Sequence, residues 1–222
     1  MNISLESNNE PVIIVGGGGH AVVLLDVLLR QNRKIIGVTE ADPERAGKDL
    51  MGVRIIGADD AISVFLPDGV CLVNALGFVN MPNRRKQIYI HFKKLGYHFA
   101  PVVSGQAFIG AEVSLGEGCQ LMPGSMVQTG SRIGNNVLIN TGAIVDHQCI
   151  IDDHVHIAPG AVLSGCVSVG EGTLIGTGAR IIQGIKIGAG CIIGAGSVVV
   201  KDIGDSSTAV GIPAKAVKNL EK

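Results

Sequence analysis

Three groups of residues have types and spacings that could do chemistry. The first is His147, in the run Asn140-Thr-Gly-Ala-Ile-Val-Asp-His147-Gln-Cys149. A neutral imidazole serves as a general base near neutral pH, and a neighbouring acid such as Asp146 can orient its ring and raise its basicity. The second is the set His147, His154 and His156. Three imidazoles can hold zinc and leave a position open for water. The third is Val15-Gly-Gly-Gly-Gly-His20-Ala21, where Gly16, Gly18 and Ala21 satisfy a Gly-x-Gly-x-x-Gly/Ala spacing. Such a turn lets backbone N–H groups approach phosphate at a helix start, and Glu40 lies near where a ribose-binding acid would stand. Cys149, two residues beyond His147, raises the alternative of an acyl-cysteine.

The elements that must position these residues follow two different rules. Over residues 11–103, apolar runs alternate with helical patterns. Pro11–Val15, Lys34–Val38 and Val70–Val73 read as strands, and Ala21–Arg30 and Arg84–Leu95 as helices, the second ending at Gly96. That alternation predicts a small parallel sheet with crossover helices, and places the glycine run between the first strand and the first helix. The sheet is too short for the two mononucleotide-binding halves that NAD requires.

From Ile109 to Val199 an aliphatic residue recurs at every sixth position without a break in register, through Leu115, Leu121, Val127, Ile133, Ile139, Val145, Ile151, Ile157 and onward. The position two before it is often small, as at Ala107, Ser125, Ser131, Ala143, Ala161, Ala179 and Ser197. Each hexad makes one short flat strand and a corner, and three hexads close a triangular coil with the aliphatics stacked inside. Val145 then points inward and His147 falls near a corner, with His156 half a coil further on. Cys119, Cys149 and Cys191 take the small interior position and read as buried packing groups rather than nucleophiles. Cys119 and Cys191 are four coils apart, roughly 19 Å at sheet spacing, too far for a disulfide. Residues 104–205 form this domain and 206–222 a tail.

Composition excludes several classes. The chain of 222 residues has a net charge of −1, so no broad basic surface recruits nucleic acid or anionic lipid. With 32 glycines and no tryptophan it is not an ordinary helical or sandwich core. Residues 1–11 are polar and acidic and do not read as a signal peptide, and no run is long enough to span a membrane. Five scattered cysteines suit a reducing cytoplasm.

The hexad period, closed by Gly211-Ile-Pro-Ala-Lys215, resembles the hexapeptide-repeat acyltransferases. From about Val12 to Val217 the chain is similar to their sugar O- and N-acetyltransferases, of the sialic-acid and UDP-N-acetylbacillosamine type. The resemblance implies a small Rossmann-like α/β domain followed by an all-β left-handed parallel β-helix. It implies acetyl-CoA as co-substrate, no metal, and a cytoplasmic enzyme. His147 matches the family's general base, Asn140 a residue lining the same cleft, and His156 one beside acetyl-CoA. Gly165, Thr177 and Ala195 match positions along the CoA groove, and Lys215 and Lys218 stand as phosphate contacts or as plain solvated lysines. Gly18, Gly19 and His20 match the turn that holds the nucleotide-sugar, and Thr39-Glu40 stands where members carry two adjacent acids.

Many members have an acid directly after the base; this chain has Gln148, which leaves Asp146 or position alone to support His147. A coil with flat faces and a base at its corner cannot enclose a substrate alone, which predicts a homotrimer with active sites between subunits. The acceptor expected is a nucleotide-linked 4-amino-4,6-dideoxy sugar, with UDP favoured. Alternatives are O-acetylation of sialic acid or a related sugar, a zinc hydratase of the γ-carbonic anhydrase type on the same coil, and a non-catalytic trimeric scaffold.

Overall fold

The computed structural model describes residues 10–77 and 84–217. The chain divides into two compact units, one running to Val102 and the other from Val103 onward. In the first unit, β1 (Val12–Val15), β2 (Ile35–Thr39), β3 (Asp49–Leu50), β4 (Val53–Gly57), β5 (Cys71–Asn74) and β6 (His98–Phe99) form one sheet of order β3-β4-β2-β1-β5-β6. All neighbours are parallel except the β3–β4 pair. All four β1 residues are buried, as in a central strand covered on both faces.

Helix α1 (Gly19–Arg30) buries Ala21, Leu24, Leu25, Val27 and Leu28. Helix α2 (Arg84–Lys94) brings Tyr89 and Phe92 against Phe99 and Tyr97, with ring centroids 4.7 Å and 5.7 Å apart. The sequence reading finds β1, β2, β5 and both helices but not β3, β4 or β6. The two-residue strands β3 and β6 are too short to show a period, and five-residue β4 is entered from β3 through a turn that depends on left-handed Met51 and Gly52. Helix α1 also starts at Gly19, earlier than Ala21, so Gly16 and Gly17 form the connecting turn, Gly18 is the N-cap and Gly19 opens the helix.

In the second unit three parallel sheets face one another. The first face holds Gln120–Leu121, Leu138–Ile139, His156–Ile157, Leu174–Ile175 and Ile192–Ile193. The second holds Phe108–Ile109, Met126–Val127, Ile144–Val145, Val162–Leu163, Arg180–Ile181 and Val198–Val199. The third holds Ser114–Leu115, Arg132–Ile133, Ile150–Ile151, Ser168–Val169 and Lys186–Ile187. Strands eighteen residues apart pair in register, Val127 with Val145 and Val145 with Leu163. The hexad aliphatics stack in the interior, and Cys119, Ser131, Ala143, Cys149, Ala161 and Cys191 fill the remaining space at 0 % exposure.

Beyond the last full coil, Thr208–Gly211 pairs with Ile192–Ile193 and turns back antiparallel as Ala214–Val217. The tail therefore continues the first face and covers its end.

A column of glycines, three positions after many of the aliphatics, escapes the sequence reading. Gly124, Gly130, Gly142, Gly160 and their equivalents carry positive φ at each corner, the conformation glycine adopts at no steric cost. Glu112, Asn136, Gln148, His154 and Cys166 hold the same conformation without being glycine. Each costs roughly 1–2 kcal/mol, and two of the five lie beside His147.

Candidate active site

His147 sits at the corner after the second face, half-buried, with its surroundings set by the coil above and below. Directly above it is Gly165, eighteen residues on. A Cβ at Gly165 would overlap the imidazole at Cε1 and Nε2 and lie 3.0 Å from Cδ2, so the ring fills the space that a side chain there would take. The His147 carbonyl accepts from the Cys166 N–H at 2.9 Å, which ties the two corners together.

The ring is oriented by Gln148, whose Oε1 is 3.2 Å from His147 Nδ1. An amide oxygen only accepts, so Nδ1 carries the proton and Nε2 keeps the lone pair. Asp146 does not reach the ring: its Oδ1 accepts from the backbone N–H of His147 at 2.7 Å, holding the main chain of the turn. Of the two supports left open for His147, the Asp146 carboxylate closes its own turn, and it is the following residue, Gln148, that contacts the ring. Left-handed Gln148, with φ of 57°, directs its side chain back toward the preceding ring.

Asn140 and His156 meet on the first face, Asn140 Nδ2 lying 3.3 Å from His156 Nε2. Asn140 Oδ1 accepts from the Thr141 N–H at 2.8 Å, so its amino group is left to donate to His156. Thr177 and Ala195 are exposed and successive in one column at the corner after that face, where Gly196 N–H donates to Thr177 O at 2.8 Å. One chain therefore sets His147 and Gly165 on one edge of the triangular coil, and Asn140, Thr177 and Ala195 on another.

The zinc set does not assemble. His154 bonds through Nδ1 to Asn136 at 3.0 Å on a third edge, and His156 is held by Asn140. No group of three or more His, Cys, Asp or Glu side chains among the described residues is placed to hold a metal ion. Cys149 is wholly buried and its thiol donates to Ser164 O at 3.3 Å. Burial pushes that thiol up to about 11, which keeps it protonated and un-nucleophilic at neutral pH.

In the first unit the glycine turn is braced from behind. Gly16 N–H donates to Thr39 Oγ1 at 3.1 Å, and Thr39 Oγ1 donates to Asp59 Oδ1 at 2.6 Å. Thr39 is 0 % exposed. It was expected among the substrate contacts, but both roles of its hydroxyl are taken up inside the protein, so it positions the turn. Glu40 is also engaged: its Oε2 lies 2.7 Å from Arg45 Nη1 and its Oε1 accepts from Ala41 N–H at 2.8 Å. Gly18 and Gly19 are exposed, with no heavy atom within 4 Å of where a Cβ would stand. Helix α1 has no acid in its first turn and no side-chain cap, and His20 is half-buried in that turn. Lone amides at an uncapped helix start favour an anion. On the other side, buried Arg85 donates through Nη1 to Asn74 O at 2.7 Å and Leu76 O at 3.0 Å, fixing the chain after β5.

Sequence reasoning misses Arg45, Asp59 and Arg85. Only Arg45 left a signal, in the Asp42-Pro43 turn that returns the chain toward Glu40. Lys215 is exposed on the terminal hairpin, and Lys218 lies outside the described residues.

Comparison with known proteins settles the family. Residues 11–92 match the PglD N-terminal domain, and residues 112–147, 130–165 and 166–201 match the bacterial transferase hexapeptide (six repeats). A variant of perosamine N-acetyltransferase from Caulobacter crescentus, solved with CoA and GDP-perosamine, is 37 % identical with a TM-score of 0.87. The match covers 94 % of this chain and 97 % of that one.

The chain belongs to the sugar acetyltransferase family of hexapeptide-repeat transferases.

The acetyltransferase domain of PglB from Neisseria gonorrhoeae is 32 % identical over 94 % of this chain and all of that one, with a TM-score of 0.87, and has also been solved with acetyl coenzyme A. WeeI from Acinetobacter baumannii is 28 % identical over 93 % of this chain and all of that one, with a TM-score of 0.82. With the family comes the left-handed coil. The expected fold class, a Rossmann-like α/β unit and a left-handed parallel β-helix, is borne out. The chain is an enzyme of this family, and no helix among the described residues is long and apolar enough to cross a membrane.

Proposed function

We propose that this sugar acetyltransferase moves acetyl from acetyl-CoA to the amine of a nucleotide-linked 4-amino-4,6-dideoxy sugar. The observation that carries the chemistry is the His147 corner, where Gln148 holds Nδ1 and leaves Nε2 as a base. The amine attacks the thioester carbonyl and gives up a proton to His147 Nε2. The C–S bond then breaks, and the imidazolium returns the proton to the departing CoA sulfur. Backbone N–H groups at a neighbouring corner supply the donors for the developing oxyanion. No covalent enzyme intermediate is required, in keeping with the buried, protonated Cys149.

Asn140 and His156 line the cleft, and acetyl-CoA runs past His156, Gly165, Thr177 and Ala195. These positions lie on two edges of one coil, so a single chain leaves the groove half-built. A homotrimer, which sets an edge of one copy against a different edge of the next, completes it. The acceptor's diphosphate occupies the Gly18-Gly19-His20 turn. UDP is carried forward as the first base to test and GDP as the second, because the Caulobacter relative was solved with GDP-perosamine. Five free cysteines fit a cytoplasmic enzyme.

The deciding experiment is a panel assay of CoA release with UDP-, GDP- and dTDP-linked amino sugars and with free sialic acid. Turnover of one nucleotide-linked amino sugar is the expected result; O-acetylation of sialic acid with no nucleotide-sugar turnover would overturn the reading. Light scattering should report three copies, and an active monomer at micromolar concentration would refute the trimer.

A further inference from the structure

Arg45 is placed where it governs the glycine turn. It ends the short helical turn Pro43–Arg45, which Asp42 caps by accepting from the Glu44 N–H at 3.0 Å. Its Nη1 donates to the Gly17 carbonyl at 3.1 Å and to Glu40 Oε2 at 2.7 Å. A Cβ on Gly17 would lie 2.8 Å from Glu40 Oε2, so the ion pair rests directly on the turn. The Arg45 side chain is 35 % exposed, and Nε and Nη2 have no hydrogen bond to the described residues.

Two physical consequences follow. In a planar trans peptide the C=O of one residue and the N–H of the next point in opposite directions. Binding the Gly17 carbonyl therefore aims the Gly18 N–H away from Arg45, and Gly18 and Gly19 are the exposed residues of the turn. Glu40 would by itself set a negative charge against a turn whose amides suit an anion. Arg45 cancels that charge and keeps spare donors on the same side chain.

We propose that Arg45 is the positioning residue that readies the glycine turn for a nucleoside diphosphate, by orienting the Gly17–Gly18 peptide and neutralising Glu40. The proposal rests on the reading that this turn receives the nucleotide part of the acceptor. It also assigns Glu40 a role opposite to a direct ligand contact: the carboxylate anchors Arg45.

The test is calorimetric titration of the full chain with UDP and GDP, together with steady-state kinetics on whichever nucleotide-sugar is turned over. Arg45→Met should weaken diphosphate binding by about 10- to 100-fold, as expected for a lost charge-assisted contact and an unpaired carboxylate. KM for the nucleotide-sugar should rise by a similar factor, with kcat and KM for acetyl-CoA within twofold of the parent. Adding Glu40→Gln to Arg45→Met should restore at least threefold in affinity, a rescue that a merely structural arginine would not show. Diphosphate binding by Arg45→Met within twofold of the parent, or no rescue by Glu40→Gln, overturns the proposal. Arg45→Gln repeats the comparison if Arg45→Met lowers Tm by more than a few degrees. If the parent binds neither UDP nor GDP, the reading of the turn itself fails, and this inference with it.

Discussion

Replacing Gly165 by Ala tests whether the His147 corner is built as described. The added methyl would overlap Cε1 and Nε2 of the imidazole, so the ring must move before the methyl fits. Gly165 is outside the left-handed region, and alanine is therefore compatible with its backbone. The gain of about 0.4–1 kcal/mol from a stiffer unfolded chain offsets part of the local crowding, so Tm should shift by only a few degrees. Catalysis should respond much more. A displacement of about 1 Å in a reacting group costs on the order of 10²-fold, equivalent to about 2.7 kcal/mol of barrier. The assay is release of CoA thiol at saturating acetyl-CoA and acceptor, which separates kcat from any change in CoA affinity. If Gly165 acts by leaving room for His147, the double variant with His147→Ala should lose no more than His147→Ala alone, because both changes remove one function. A Gly165→Ala enzyme with kcat within threefold of the parent, or a double variant whose losses multiply, would refute the argument.

Four other outcomes are expected. His147→Ala should lower kcat by roughly 10²–10⁴-fold with little change in CoA affinity or Tm, and near-normal turnover at neutral pH would show that another group is the base. Gly19→Val should weaken UDP or GDP binding sharply in calorimetry while CoA still binds, because Gly19 is exposed, a Cβ there meets no tertiary neighbour, and the side chain would stand in the turn. Iodoacetamide with mass-spectrometric mapping should label exposed Cys166 in the native protein and leave Cys119, Cys149 and Cys191 until unfolding; early loss of Cys149 would contradict its burial and raised pKa. Asp152 is pushed up by desolvation and by Asp153 and Glu171. A carboxyl raised on folding favours the folded state while protonated, and that contribution is lost as pH rises through its folded pKa. Asp152→Asn should therefore stabilise the fold slightly at neutral pH, by no more than about 0.5 kcal/mol as for exposed positions, seen as a small rise in Tm that disappears in acid.

The domain from Ile109 to Val199 was legible in the sequence because its coil turns spacing into position. Six residues always make one strand and one corner, and eighteen always return to the same edge one strand higher. The stacked aliphatics, the small interior residues, the cysteine placements and the corner position of His147 all follow from that rule. The contact of Gly165 with His147 follows too, since the two are eighteen apart. Which side chain would orient the imidazole did not follow. Asp146 and Gln148 flank His147 equally in sequence, and the choice fell to the left-handed backbone at Gln148, which turns its amide onto the ring while Asp146 closes the turn.

The first unit obeys no such translation. Its strands and helices could be read from periodicity, but its contacts cross connections of unequal length. Thr39 beneath Gly16, Asp59 behind Thr39, and Arg45 reaching across Glu40 to the Gly17 carbonyl are products of packing between β1, β2 and the turns after β2 and β4. The sequence alone thus determined that a glycine turn at a helix start and a cornered histidine exist. Tertiary structure alone decided which neighbours orient them: at His147 the left-handed backbone chose between two adjacent side chains, and at the glycine turn packing of the sheet brought in residues that no spacing along the chain relates.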